Sequence, residues 1–306
     1  MSRPVPLFIL GLQRSGTTFA ANLLAAHPQI AAVAHARHRG VHESVFFSHF
    51  ARLFGDWSEA GARAAAVAAF LDSDYFRLTG LDAAATGAAM QAAQTPGAAF
   101  RQVMDTLAQQ GGRRVWIEKS PHHTLLAAEI ADMLPDAHFL CITRETADFT
   151  RSRLWAYGRR PPRYPGRATV ILRACLSNAF HQRFMAGLPV RIGADRVHAV
   201  GYAALARDPD AALAPLLSAL GLAPLAGRRP DFAANSSFAS AASRAAALGR
   251  SDRALIAAGA VLAGAVPQPL LAALQRRAAR RRPRAFPAWV RTPDISGPAP
   301  GQEGSR

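Results

Sequence analysis

A glycine-containing turn between an apolar run and a helical pattern most constrains what this chain can fold into. The run V-P-L-F-I-L leads into G-L-Q-R-S-G-T-T at Gly11–Thr18, in which Gly11 and Gly16 have the spacing of a Walker A loop. Such a loop directs backbone N–H groups and the positive end of a helix toward a phosphate. It also carries three hydroxyl side chains that can donate hydrogen bonds: Ser15, Thr17 and Thr18. The turn therefore predicts an anion-binding loop after the first strand of a parallel sheet.

The rest of the sequence supports that architecture, because apolar runs alternate with helical patterns. Strands are predicted at residues 6–12, 30–33, 114–118, 137–143 and 197–202, and helices at 17–26, 58–71, 96–110, 124–134, 147–157, 168–186 and 210–220. Residues 35–50 are predicted as a loop plus a helix, and residues 159–165 as a loop that acts as a mobile lid or faces the acceptor. The prediction is an α/β, P-loop NTPase-like fold with a central parallel sheet flanked by helices. A single domain is predicted over residues 6–274, followed by a basic, largely disordered tail over 275–306.

Charge and cysteine content narrow the classes of protein. The net charge is +16, but eight arginines against two acids follow residue 274, and the remaining excess is spread thinly. No basic stripe interleaved with aromatics accompanies it, so we predict no specific nucleic-acid partner. The arginines at 276–284 are a candidate for peripheral contact with an anionic membrane, the alternative being a solvated helix end. Only Cys141 and Cys175 are present, which excludes a disulfide scaffold and a cysteine zinc cluster.

The location predicted from the sequence is cytoplasmic. No stretch of 18 apolar residues free of charge occurs, and the apolar stretch near the N-terminus is shorter than a signal peptide requires and lacks a small-residue cleavage site.

Two differences separate the loop from that of an ATPase. A Walker A loop has lysine where this chain has Thr17, and the nearest cation here is Arg14. The strand at 137–143 is followed by Arg144, with no aspartate at that point to hold Mg²⁺. The pattern predicts an anion site without a metal. A P-loop kinase-like phosphotransferase and a non-catalytic nucleotide- or polyanion-binding protein remain as alternatives.

Lys119 is the only lysine of the chain. Where arginine has replaced lysine almost everywhere, the remaining lysine is a candidate for a role that needs an ammonium group. Survival by chance is the alternative interpretation.

Several motifs in order resemble one family. R-S-G-T-T in the loop is followed by His27–Pro28, and F-L-C-I-T-R-E-T-A-D-F-T-R-S places Ser152 eight residues after Arg144. The strings W-I-E-K-S-P-H-H (116–123), G-Y-A-A-L-A-R-D-P (201–209) and, more weakly, N-S-S-F (235–238) with an arginine downstream complete the pattern. Together these motifs resemble the sulfotransferases that use 3′-phosphoadenosine 5′-phosphosulfate (PAPS), over about residues 6–250.

The resemblance implies roles for residues at the matching positions. The loop would hold the 5′-phosphosulfate of PAPS through Arg14, Ser15, Gly16, Thr17 and Thr18. Phe19 and Tyr202 would lie near the adenine, and Arg144 with Ser152 would bind the 3′-phosphate. Lys119 would lie at the reaction centre. The acidic pair that follows the family's tyrosine is replaced here by Ala203 and Ala204, so any role of those acids is absent.

The implied reaction is metal-independent, in-line transfer of a sulfuryl group to a hydroxyl or amine of a small-molecule, glycan or lipid acceptor. Three residues are candidates for the general base: His35, Glu43 and His122. His38 and His42 have a spacing that could also bind a metal, although no metal is predicted.

Overall fold

The computed structural model describes residues 3–156, 160–227 and 248–292. Its centre is a sheet of five parallel strands in the order β2-β5-β1-β6-β7, and a two-stranded antiparallel ribbon, β3-β4, lies apart from it. The strands are β1 Val5–Leu10, β2 Ile30–Ala31, β3 Ala34–His35, β4 Gly40–Val41, β5 Val115–Lys119, β6 His138–Thr143 and β7 Val197–Gly201. The α/β prediction with a central parallel sheet is confirmed.

Helices connect the strands and cover both faces of the sheet. In chain order they are α1 Thr17–Ala25, α2 Ala51–Leu53, α3 Ala60–Leu71, α4 Asp74–Arg77, α5 Ala83–Ala92, α6 Pro96–Gln110, α7 Ala127–Met133, α8 Thr146–Leu154, α9 Gly166–Ala186, α10 Leu188–Ile192, α11 Tyr202–Arg207, α12 Pro209–Ala219, α13 Arg250–Ala265 and α14 Gln268–Ala279. Short 3-10 helices occur at Ala36–His38, Pro121–Leu126, Ala194–Arg196 and Ala288–Val290, and a π-helix at Phe46–Phe50.

The sheet is buried on both faces because its strands alternate between two apolar clusters. Phe8 of β1 packs against Trp116 and Phe139 on one face, with ring centres 5.5 and 5.7 Å away. Leu7 and Ile9 point to the opposite face. The carboxyl ends of β1, β5, β6 and β7 meet at one edge of the sheet, where parallel α/β folds bind their ligands. The segments that begin at residues 11, 120, 144 and 202 therefore lie together.

Some elements have boundaries in the structure that differ from the predicted ones. The first strand ends at Leu10 instead of residue 12, because Gly11 turns the chain with a φ of +153°. The predicted helix at 124–134 is instead a 3-10 helix followed by α7. Residues 35–50 form β3, a 3-10 turn, β4 and the π-helix.

The predicted tail from residue 275 is wrong for the part that the structure describes. Gln275 is buried in α14, and its amide donates to the carbonyl of Phe180. Farther on, Phe286 packs against Phe50, and the backbone N–H and hydroxyl of Thr292 donate to Asp74. The apolar side chains among the arginines anchor this segment. Residues 293–306, and the N-S-S-F motif at 235–238, lie outside the described residues.

Candidate functional site

The loop after β1 forms a tight cradle at the start of α1. Gly11, Arg14 and Gly16 all have positive φ angles, of 153°, 84° and 108°, which fold the chain tightly round one centre. Thr124 holds the base of the loop, since its hydroxyl accepts from the Gly11 N–H at 3.0 Å and bonds the Gly11 carbonyl at 3.1 Å. The buried Ser15 Oγ has no hydrogen-bond partner within the described chain. An anion in the cradle would supply that partner.

Arg144 connects the end of β6 to the loop. Its Nη1 donates to the carbonyl of Arg14 at 2.9 Å, while its Nε is buried without a partner in the residues described. Asn178 and Gln182 of α9 both donate to the Arg144 carbonyl and fix the backbone at this point. Burial lowers the pKa of Arg144, although Tyr202 partly opposes that effect. A guanidinium held in this way is placed to bind an anion through charge-assisted hydrogen bonds.

Tyr202 covers the loop from the end of β7. A Cβ atom on Gly16 would lie 2.2 Å from Cδ2 of the Tyr202 ring, so only glycine allows this close packing. The Arg144 guanidinium lies 4.2 Å from the ring centre, within the range of a cation–π contact. Phe19 approaches the same ring edge-on at 6.1 Å. Residues from three distant parts of the sequence thus form one surface.

Lys119 ends β5 beside this cradle and forms a buried ion pair. Its ammonium nitrogen lies 2.9 Å from Oε1 of Glu43, which follows β4. The lysine side chain is 3% exposed and the glutamate 20%. The ammonium is therefore oriented by one carboxylate whose outer part reaches solvent.

Glu118, which the sequence analysis missed, holds the two sides of this ion pair together. Its buried carboxylate accepts from the hydroxyl and N–H of Ser44, at 2.7 and 3.3 Å, and from the hydroxyl of Ser120. His123 Nδ1 lies 2.8 Å from its other oxygen. Burial alone would raise the pKa of Glu118, but His123 and the two serines outweigh burial and lower it. The signal was a carboxylate that directly follows three apolar residues within a predicted buried strand.

Comparison with known proteins decides the family. The sequence model of the sulfotransferase family matches residues 6–225, more than half of the chain. This chain belongs to the sulfotransferase family. No curated protein matches it in a sequence search.

Solved structures with related folds are also sulfotransferases. The sulfotransferase domain of the Synechococcus PCC 7002 olefin synthase is 19% identical, with 92% of this chain and 98% of that one covered and a TM-score of 0.43. A sulfotransferase from Alicyclobacillus acidocaldarius is 16% identical, covering 90% and 100%, with a TM-score of 0.45. The assignment rests on the family model, since structural likeness at this level adds no detail.

The structure brings most, but not all, of the predicted site residues of the sulfotransferase into contact with one another. It brings the loop, Arg144, Tyr202 and Phe19 into one cluster, and Lys119 into contact with Glu43. Ser152 is buried in α8, and no hydrogen bond joins it to Arg144 within the described chain. Thr17 is buried at the start of α1, and Thr18 is half-buried beside it.

The two histidine candidates for the base differ in their exposure and in their contacts. His122 is exposed, and desolvation lowers its pKa even though the charge of Glu43 opposes that effect. Its ring contacts His49 edge-on at 5.4 Å. His35 is half-buried, and its Nδ1 accepts from the N–H of Arg37. Of the three predicted bases, Glu43 is the one in contact with Lys119.

A cluster of His38, His42 and Asp74 lies next to the ion pair. Its potential ligand atoms fall within 4.8 Å of one another, which is a spacing compatible with a metal. The two imidazole rings are stacked, however, with their centres 3.5 Å apart and an angle of 25° between their planes. Nitrogen lone pairs lie in the plane of the ring, so those of two stacked rings do not converge on one point. Asp74 is already bonded to Thr292, and the charge of Lys119 reaches both histidines. Burial is the main cause that lowers the pKa of His38, and it lowers that of His42 to about 2. The cluster therefore fits neutral imidazoles better than a cation.

Proposed function

We propose that this sulfotransferase takes its sulfuryl group from PAPS and transfers it to a hydroxyl or amine of a small-molecule, glycan or lipid acceptor, without a metal. The observation that carries the proposal is a set of buried, unsatisfied polar atoms around the loop. Ser15 Oγ and Arg144 Nε have no protein partner among the described residues, and buried polar atoms of native proteins are normally hydrogen-bonded. A doubly phosphorylated adenosine supplies acceptor oxygens on both sides of the loop.

Different residues of the cradle would bind different parts of the donor. The backbone of Gly11–Thr18 and the side chain of Ser15 would hold the 5′-phosphosulfate at the positive end of α1. Arg144 would bind the 3′-phosphate, with Ser152 as a second predicted partner. Tyr202 and Phe19 form an aromatic corner against which an adenine would pack. Each role stays a proposal drawn from the family motifs and this arrangement.

Lys119 and Glu43 carry the chemical step of the proposal. The acceptor oxygen or nitrogen attacks sulfur in line, a new bond to sulfur forms, and the bond from sulfur to the 5′-phosphate oxygen breaks to release adenosine 3′,5′-bisphosphate. Lys119 stabilises the negative charge that grows on the bridging oxygen. Glu43 accepts the proton of the acceptor, because its carboxylate is partly exposed and lies beside the ammonium group. His122 is the second candidate for this base.

Nucleotide binding separates this proposal from its alternatives. Isothermal titration calorimetry is expected to give tight binding of adenosine 3′,5′-bisphosphate without added metal, and weak binding of Mg²⁺–ATP. The reverse preference would identify a phosphotransferase and overturn the proposal.

Activity is tested with ³⁵S-labelled donor and an extract of the source organism, followed by identification of the labelled molecules. Glu43→Gln is expected to lose about 10²–10⁴-fold in transfer, with bisphosphate affinity unchanged within about twofold. Binding without any labelled product, across many acceptors, would leave only a nucleotide-binding protein. The predicted cytoplasmic location and the acceptor class stay predictions.

A further inference from the structure

Helices α13 and α14 form a bent pair, called here the hairpin, whose outer surface is not covered by the residues that the structure describes. The inner face is well packed, since Ile256 joins the cluster of Leu154 and Ile171, and Gly259 lies against Cys175 of α9. On the outer face, Val261, Leu262, Leu270 and Leu274 are 72%, 62%, 53% and 45% exposed. Half of the large hydrophobic side chains exposed in the described chain thus fall within 14 residues. Isolated surface leucines are ordinary, but a cluster of this kind marks an interaction surface.

The helical spacing makes each outer face continuous. Along α13, the exposed residues recur at Ala254, Ala258, Val261 and Ala265, and all of them are apolar. Along α14, the exposed stripe runs through Leu270, Leu274 and Arg277, and Arg281 follows just after the helix ends, so the stripe begins apolar and ends cationic. The two helices meet at 94°. No single helix among the described residues is long and apolar enough to cross a bilayer, and this pair passes that test only when both helices are counted together.

The charged side chains that follow Asp252 along this segment have one sign. No acidic residue occurs from Arg253 to Thr292. Four arginines, with Ala273, line a shallow hollow on the surface: Arg276, Arg277, Arg280 and Arg281. None of these four guanidiniums forms an ion pair with any residue that the structure describes. An apolar patch next to an unpaired arginine hollow is complementary to acyl chains beneath anionic phosphates.

We propose that this hairpin docks the protein on the surface of a membrane that contains anionic lipid, with the four hydrophobic side chains in the interface and the arginine hollow on lipid phosphates. The chain continues from α14 to Phe286, which stacks on His49, and His49 contacts His122. The docking surface is thus linked through one segment to the candidate reaction centre. The inference does not rest on the donor or acceptor proposed above.

Vesicle co-sedimentation of the whole protein tests the surface directly. The protein is expected to bind strongly to phosphatidylcholine vesicles that contain phosphatidylglycerol and weakly to vesicles of phosphatidylcholine alone. Binding to the anionic vesicles should decrease clearly at high ionic strength. Arg277→Gln/Arg281→Gln is expected to weaken binding by about twenty-five-fold, because each arginine at an anionic surface contributes about fivefold. Leu270→Ser/Leu274→Ser is expected to weaken it by at least about tenfold.

Arg113→Gln/Arg207→Gln is the matched control, since it removes two charges outside the hairpin and is expected to bind like the wild type. Circular dichroism and bisphosphate affinity show whether each variant is folded. Equal binding of the wild type to neutral and anionic vesicles, or unchanged binding of both hairpin variants, would overturn the proposal. A concentration-dependent dimer in light scattering, abolished by the leucine variant and accompanied by no vesicle binding, would instead assign the surface to a second copy of the chain.

Discussion

The ammonium nitrogen of Lys119 lies 2.9 Å from a carboxylate oxygen of Glu43, although 76 residues separate them in the sequence. The pair is held by Glu118, which precedes Lys119 and binds Ser44 next to Glu43. One buried carboxylate thus sets the distance between a proposed electrophilic group and a proposed base. This arrangement leads to the first two predictions.

Replacement of Lys119 by alanine is expected to lower sulfuryl transfer by about 10²–10³-fold, the usual cost of removing one preorganised donor at a developing charge. Lys119→Arg keeps the charge but not the compact ammonium group, and we expect it to restore little activity. Transfer of ³⁵S from labelled donor measures both variants. Their affinity for adenosine 3′,5′-bisphosphate should change by less than about threefold. Near-wild-type transfer by Lys119→Ala would remove this residue from the mechanism.

Glu118→Gln tests the positioning role of the buried carboxylate. Glutamine cannot accept from Ser44, Ser120 and His123 together, so we expect a loss of about 3 kcal/mol in the free energy of unfolding. Among molecules that remain folded, kcat should fall by about tenfold or more, while bisphosphate affinity stays constant. Urea denaturation and transfer assays provide the two readouts. The control is Glu129→Gln on α7, which removes a partly exposed carboxylate, and a similar loss of kcat there would argue against a specific role for Glu118.

Gly16→Ala is expected to abolish bisphosphate binding, with a loss of at least about a hundredfold. The position has a φ of +108°, and the new Cβ would lie 2.2 Å from the Tyr202 ring, so the loop and the ring have to separate. Calorimetry measures the effect. Gly61→Ala in α3 is the matched control, because nothing lies within 4 Å of its added Cβ, and it should bind normally. Full binding by Gly16→Ala would show that the loop does not hold the nucleotide.

Stability is expected to fall as the pH drops below about 6.5, well before the carboxylates titrate. Burial lowers the pKa of His42 to about 2 and that of His49 to about 4. Between those values and 6.5 the unfolded chain binds protons that the folded protein does not bind, so acid favours unfolding. From pH 7.5 to 5.5 the two histidines together should remove about 2–3 kcal/mol. Urea unfolding at both pH values measures the loss, and His42→Phe should reduce it by about 1.4 kcal/mol, the contribution of one such histidine. An unfolding free energy that is the same at both values would contradict the buried, neutral state of these rings.

Much of the fold and part of the site followed from the sequence, because local chemistry fixes them. Gly11 and Gly16 set the loop at the end of a buried strand, and the alternation of apolar runs with helical patterns determined the parallel sheet. The lone lysine and the motif order were sufficient to indicate the family. The boundaries of α6 agree with the predicted residues 96–110, since the capping residue Thr95 is a local signal, whereas the end of β1 was predicted two residues too late.

Other features depend on contacts between distant residues, which no local pattern encodes. The sequence did not show which candidate base contacts Lys119. In the folded protein Glu118 of β5 bonds Ser44, and this contact brings the neighbouring Glu43 to Lys119. The segment at 275–292 resembled a solvated tail because arginines dominate its composition, yet Phe286 and Thr292 find partners more than 200 residues away. Such pairings require the assembled sheet, since the free energy that favours them comes from burial against surfaces that exist only after folding.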